Sequence, residues 1–268
     1  AEKTYIAGDD DQAIFKWAGA DVDHFIALKE EVNDIKILDQ SYRIPGGPIH
    51  ELSQNIINKV QNRFQKEYKP REEQGLLKRY SDITQVDMSL GNWLVLSSAN
   101  YFLEDAKDLC EIQGWYYQCK GINSVPLKLL LALNNWEHWR KGDLLNHLEI
   151  KNIYEYLGSS VLPGFQKGKT LHSDAKYTLK ECQEQHGLIA SDVWYNSFEG
   201  LDPMTETYIR NMRANGETLN KNPRIKMSTI HAAKGGEADN VLLLQDLTGA
   251  ALETFSHDPD ELHRLFYT

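Results

Sequence analysis

No apolar run in these 268 residues approaches the roughly 20 that a membrane-spanning helix needs. The first residues also lack the basic-then-apolar pattern of a secretory signal. Cysteine is scarce. Cys110, Cys119 and Cys182 lie far apart, a spacing that suggests neither a zinc cluster nor a disulfide framework, so a reduced, cytoplasmic setting is the expectation. Positive charge is in deficit: 29 Lys and Arg face 39 Asp and Glu, a net charge of −10. That argues against a broad electrostatic footprint for nucleic acid, but leaves room for a narrow groove in which bases of a single strand stack on aromatic rings. What is present is ordinary for a globular chain, with 41% apolar and 25% charged residues, and the length suits one large or two modest domains.

Taken in order, Thr4–Ala7 reads as a short buried strand that stops at Gly8. Asp21 is placed to cap a short helix holding Val22, Phe25, Ile26 and Leu28. Ile35–Leu38 is a second strand candidate. It leads into DQSYRIPGGP, where Pro45, Gly46 and Gly47 predict a polar turn. Apolar residues at helical spacing predict a helix from about His50 to Phe64, and the charged stretch Arg63–Gln74 reads as a solvated connection. Trp93–Leu96 predicts a buried strand, Phe102–Cys110 an amphipathic helix ending at Gly114, and Trp115–Cys119 another strand, an order that implies a parallel crossover. From Gly121 to about Asn220, leucine-rich helical patterns dominate. The histidines there (His138, His147, His172, His186) have no metal-ligand spacing. Strand character returns at Ile225–Thr229 and Asn240–Leu244, with the glycine-containing loop HAAKGGEA between them, and Pro259–Tyr267 predicts a helix.

Three runs carry chemistry. In GDDDQAIFKWAGA (Gly8–Ala20) the amide of Gln12 can hold a water or a phosphate oxygen, and Phe15 and Trp17 offer faces on which bases stack, worth ~1–3 kcal/mol per base. The alternative is a turn capped by Asp9, Asp10 and Asp11 above two core aromatics. A metal site there is disfavoured, because adjacent side chains converge poorly on one ion. In LDQSYRI (Leu38–Ile44) the guanidinium of Arg43 can clamp a phosphate and Tyr42 can stack on a purine, or both can be plain surface. In MSTIHAAKGGEADNVLLL (Met227–Leu244), Thr229 and His231 end a strand and Lys234 follows in the loop. Gly235 and Gly236 open backbone geometry closed to other residues, and Glu237 can accept from a sugar hydroxyl.

These runs, in this order, resemble the GDxxQ…WRGA, NYR and TIHxxKGLE runs of the UvrD/Rep/PcrA-type superfamily 1 DNA helicases, and DELHRLFYT is similar to the start of the next family motif. The resemblance implies an α/β fold: a RecA-like, P-loop NTPase-type second motor domain with a parallel sheet, interrupted by a mostly helical inserted domain. The implied parts are a remnant of the first RecA-like domain (1–30), the second RecA-like domain (31–121 and 221–268) and the helical insert (122–220). It also implies a C-terminal piece of a longer 3′→5′ ATP-dependent helicase or translocase. Gln12 and Arg43 would then be catalytic at the γ-phosphate. Tyr42, Glu237 and Gly235 would bind ATP, with Tyr42 on adenine and Glu237 on the ribose. Phe15, Trp17, Thr229 and His231 would bind single-stranded DNA or a single/double-strand junction.

Departures accompany the likeness. Ala18 stands where the family has arginine, Gly236 where it has leucine, and His263 where arginine is common. No GxxxxGK[ST] loop occurs in the chain and no acidic pair precedes Gly8. The expectation is therefore that ATP and Mg2+ need a separate N-terminal motor domain as partner, with magnesium ligands in that half, and that these residues alone do not hydrolyse ATP. Two further readings are a non-catalytic DNA-binding or scaffold module of a replication or repair complex, and the motor half of a nuclease–helicase.

Overall fold

The computed structural model describes residues 4–217 and 221–268. The chain falls into two units, one of residues up to 106 together with 227–268, the other of 107–226.

The expected opening strand does not form. Thr4–Ala7 is exposed and belongs to no ladder, since β-prone residues make a strand only when a neighbour takes their backbone groups. The chain turns instead. Asp9 caps a 3₁₀ turn over Asp10–Gln12 by accepting from the Asp11 amide, and a second such turn covers Lys16–Ala18. Asp21 caps helix α1 (Val22–Ala27) through the His24 amide, as the sequence predicts.

Ile35–Leu38 is also exposed and irregular rather than a strand. Strand β1 runs Gln40–Gly46 instead, through the stretch expected to turn. Its pairing with β2 (Lys69–Gln74) is parallel, with register shifts on both sides of Pro45. Regular ladder bonding is thus already interrupted where the proline N–H is missing. Helix α2 (Pro48–Ile57) joins the two, with Pro48 in its first turn, and it stops well short of Phe64. β2 corrects in part the reading of Arg63–Gln74 as a solvated connection: Lys69–Gln74 is mostly exposed but forms a strand, and Arg63 is buried.

β3 (Trp93–Ser97), α3 (Glu104–Gln113) and β4 (Tyr117–Cys119) form where their patterns predict, and β5 (Ile122–Asn123) pairs antiparallel with β4. The second unit then builds on α4 (Leu127–Arg140). The indole N–H groups of Trp136 and Trp139, both buried on it, donate to the carbonyls of Asp192 and Tyr177, each at 3.0 Å. β6 (Leu145–Asn146) leads into α5 (His147–Tyr154), and β7 (Lys176–Tyr177) into α6 (Leu179–Gln185). β6 and β7 pair antiparallel, and each helix starts with a capping box, Asn146 with Glu149 and Thr178 with Glu181. α7 (Trp194–Ser197) and α8 (Pro203–Ala214) complete this helical unit.

β8 (Ile225–Thr229) matches its expected bounds, whereas the expected HAAKGGEA loop begins as a short helix, α9 (Ile230–Ala233), capped by Thr229. β9 (Asn240–Leu243) runs parallel to β3. α10 (Gly249–His257) has no counterpart in the sequence reading, and α11 (Pro259–Tyr267) matches it. The five-stranded sheet has the order β5-β4-β8-β3-β9, so the architecture is α/β with a mixed sheet. Ile14, Ile230, Leu262 and Leu265 form one buried cluster, with Phe15, Leu96 and Leu243 packed on it. This cluster draws the Gly8–Ala20 run, α9 and α11 together.

Candidate functional site

The three aspartates are more than turn-formers. Asp10 and Asp11 are buried, Asp11 completely. Asp11 accepts two parallel hydrogen bonds from Arg63, Nε at 2.8 Å and Nη2 at 2.6 Å. Lys66 Nζ lies 3.1 Å from Asp9 Oδ1 and 3.1 Å from Asp11 Oδ2, and bonds Asp10 as well. Asp10 Oδ2 also accepts from the Phe64 amide (2.7 Å), and Asp9 Oδ1 from the Tyr68 hydroxyl (3.1 Å). Burial opposes the charge on Lys66, but its hydrogen bond to Asp10 and the surrounding carboxylates hold its pKa above the ordinary lysine value. Arg63 is likewise raised by its bond to Asp11. Gly8 leads into this turn against Phe25, whose ring would come within 2.6 Å of any added Cβ.

Just after the acidic turn the chain displays rings. Phe15 and Trp17 meet edge to face at 6.1 Å between centroids, and the His231 ring lies 5.9 Å from Phe15 and 6.4 Å from Trp17. Two segments far apart in sequence thus build one three-ring cluster, seated through Ile14 and Ile230 on the buried cluster below. Phe15 is half-buried, whereas Trp17 is 73% exposed. Lys234 ties the segments together: its Nζ donates to the Gln12 carbonyl at 2.7 Å and stands 5.2 Å from the Phe15 ring centroid. Lys16, beside Trp17, turns away to Asp258 (2.6 Å). That bond raises the Lys16 pKa and lowers that of Asp258.

A second group lies at β1 and the turn after α9. Arg43 Nε and Glu237 form an ion pair in which both side chains are 62% exposed. Tyr42 beside them is 83% exposed. Gly235 precedes Glu237 with φ +83°, a left-handed conformation strained for a residue with a Cβ, and the Gly236 amide donates to the Ala233 carbonyl at 2.7 Å.

No protein-family model matches the chain, and no curated protein matches it.

Of the residues singled out from sequence, Phe15, Trp17 and His231 come together, and so do Arg43 and Glu237. Thr229 serves as the cap of α9, its hydroxyl accepting from the Ala232 amide at 3.3 Å. The Gln12 side chain donates to Asp9 at 2.6 Å, and among the described residues no hydrogen bond joins it to Arg43. The sequence reading passed over Arg63, Lys66, Tyr68 and Arg264, and saw Lys234 only as a loop residue. One signal pointed to them: three consecutive carboxylates that fold inward demand fixed cations, and the nearest concentrated basic run is Arg63–Lys69.

Proposed function

We propose that the chain is part of an ATP-driven translocase or helicase acting on single-stranded DNA with 3′→5′ polarity, to which it contributes the base-stacking surface and part of the nucleotide site. The observation that carries this reading is the three-ring cluster of Phe15, Trp17 and His231. Flat faces on a chain of net charge −10 suit recognition of a strand by stacking better than by counterion release. Thr229, at the entry to α9, would meet the strand's backbone. The helicase motifs supply the rest: a second motor domain of RecA-like type with a helical insert, and a separate P-loop-bearing domain as partner.

ATP would supply the phosphoryl group whose transfer to water drives movement. Arg43 and Tyr42 stand exposed together, with Glu237 in reach of Arg43, which fits contacts to phosphate, base and ribose respectively. Gln12 would sense the γ-phosphate, once its amide exchanges Asp9 for that partner. Asp9, Asp10 and Asp11 do not fit a magnesium site, because Arg63 and Lys66 already occupy the side on which the three carboxylates converge. Magnesium ligands belong to the P-loop-bearing domain.

The Arg43–Glu237 pair also favours a second reading, a non-catalytic DNA-binding or scaffold module in which the two residues satisfy each other permanently. A P-loop in the coding sequence next to these residues separates the two. The DNA reading is tested by titrating a fluorescent oligothymidylate at several salt concentrations. Trp17→Ala is expected to weaken binding by about 5- to 150-fold, the equivalent of ~1–3 kcal/mol of stacking. Unchanged affinity rules out the stacking role.

A further inference from the structure

We infer that Arg264 is a positioning residue for the aromatic cluster, acting from α11 through the backbone of the acidic turn; its link to DNA rests on the reading above. Arg264 is a charged side chain buried to 5% exposure. Among the described residues it meets no carboxylate in an ion pair. Its guanidinium donates instead to two main-chain carbonyls, Asp10 O at 3.0 Å and Asn62 O. Lysine cannot reproduce that fork, because an ammonium presents its donors from a single point.

The two carbonyls belong to the two strips of chain that meet in the ionic cluster. Asp10 lies two residues before Gln12 and five before Phe15. Asn62 begins the segment whose Arg63, Phe64 amide and Lys66 hold the aspartates. α11 grips that segment a second time, since Asp260 accepts from the Gln61 amide (3.0 Å) and the Asn62 amide (2.9 Å). The same helix lays Leu262 and Leu265 against Ile14 and Ile230, the residues immediately before Phe15 and His231. Anchors beneath both ring-bearing segments therefore run to α11, and a change in the helix's seat is transmitted to Phe15, Trp17 and His231 together.

Hydrogen exchange and oligothymidylate binding test this on Arg264→Lys. Two buried charge-assisted bonds are lost or weakened, so exchange in residues 12–20 is expected to rise about tenfold or more. Exchange across β3 should stay at the wild-type rate, and DNA affinity should fall by a similar factor. Val95→Ala, a cavity in β3, serves as control: it should lower Tm while leaving exchange in 12–20 and DNA affinity unchanged. If Arg264→Lys does not fold, Asp260→Ala removes the second grip and is expected to raise exchange in 12–20 by a few-fold. Exchange in 12–20 that stays at the wild-type rate in the folded variant, or that rises no more than in Val95→Ala, overturns the proposal. Wild-type protein that ignores the oligonucleotide counts against the DNA reading instead, and the exchange arm still decides the role of Arg264.

Discussion

Two ion-paired regions of the same unit make opposite use of the same chemistry. Around Asp11 and Arg63 the side chains are 0% and 1% exposed, and at Arg43 and Glu237 both are 62% exposed. Buried charges pay a large desolvation cost that only multiple fixed bonds offset, so the partners cannot part without leaving a bare charge in an apolar setting. Exposed charges lose little to water on separating. The first pair is a fixture and the second is free to exchange its partner for a ligand. Burial, not the identity of the residues, divides the fixed pair from the exchangeable one here.

Removing one member of the buried pair should give the largest effect. Arg63→Met is expected to cost about 3–5 kcal/mol, or roughly 6–20 °C in Tm, by calorimetry. Lys66, already shared by three carboxylates, cannot replace two guanidinium donors. The double change Asp11→Leu/Arg63→Met should cost less than Arg63→Met alone, because it leaves no orphaned charge. Equal losses in the two would mean that the pair stabilises by packing only.

Alkaline pH probes the same cluster more gently. Burial first, then the charge of Asp9, pushes the Tyr68 pKa above its ordinary 10.0, and burial with the same carboxylates raises that of Tyr267. Lys66 lies above its ordinary 10.5 because its bond to Asp10 and the neighbouring carboxylates outweigh burial. All three hold their protons more tightly folded than unfolded. Their contribution is therefore complete below about pH 10 and declines as pH rises further. Tm followed by circular dichroism should fall progressively between about pH 10 and 11.5, with a shallower slope in Tyr68→Phe. At the exposed pair, Glu237→Gln should change stability by less than about 1 kcal/mol in the same melts. A loss as large as that of Arg63→Met would erase the distinction between the regions.

Sequence reading recovered the elements whose own side chains decide them. Asp21 caps α1, WLVL forms β3, and Pro259 opens α11, because capping, a continuous apolar run and a proline-started amphipathic stretch are local signals. It failed where partners decide. Thr4–Ala7 and Ile35–Leu38 have the composition of strands but no neighbour to pair with, while Gln40–Gly46, with its proline and glycine, becomes a strand because β2 is beside it. Arg63 and Lys66 look like surface charge until the aspartates turn inward to meet them. At the candidate site, the aromatics and the Arg43 and Glu237 side chains were visible as chemistry. Their grouping depended on contacts between residues far apart in sequence, and the part of Lys234 and Arg264 in it on contacts across 222 and 254 positions.

That separation has a consequence in time. Asp10 and Arg264 stand 254 positions apart, so the first unit cannot be completed until α11 has been synthesised. Residues 107–226 form a compact unit from one continuous stretch of chain and can begin to fold while the chain is still growing, since domains generally fold as units during synthesis. The half-made first unit must meanwhile keep the Asp10 carbonyl hydrated and its apolar residues Ile14 and Phe15 without the floor that Leu262 and Leu265 supply. The contacts that set the rings are then the last to form, and the slow loop closure they require makes this the step at which an interrupted or truncated chain would misassemble.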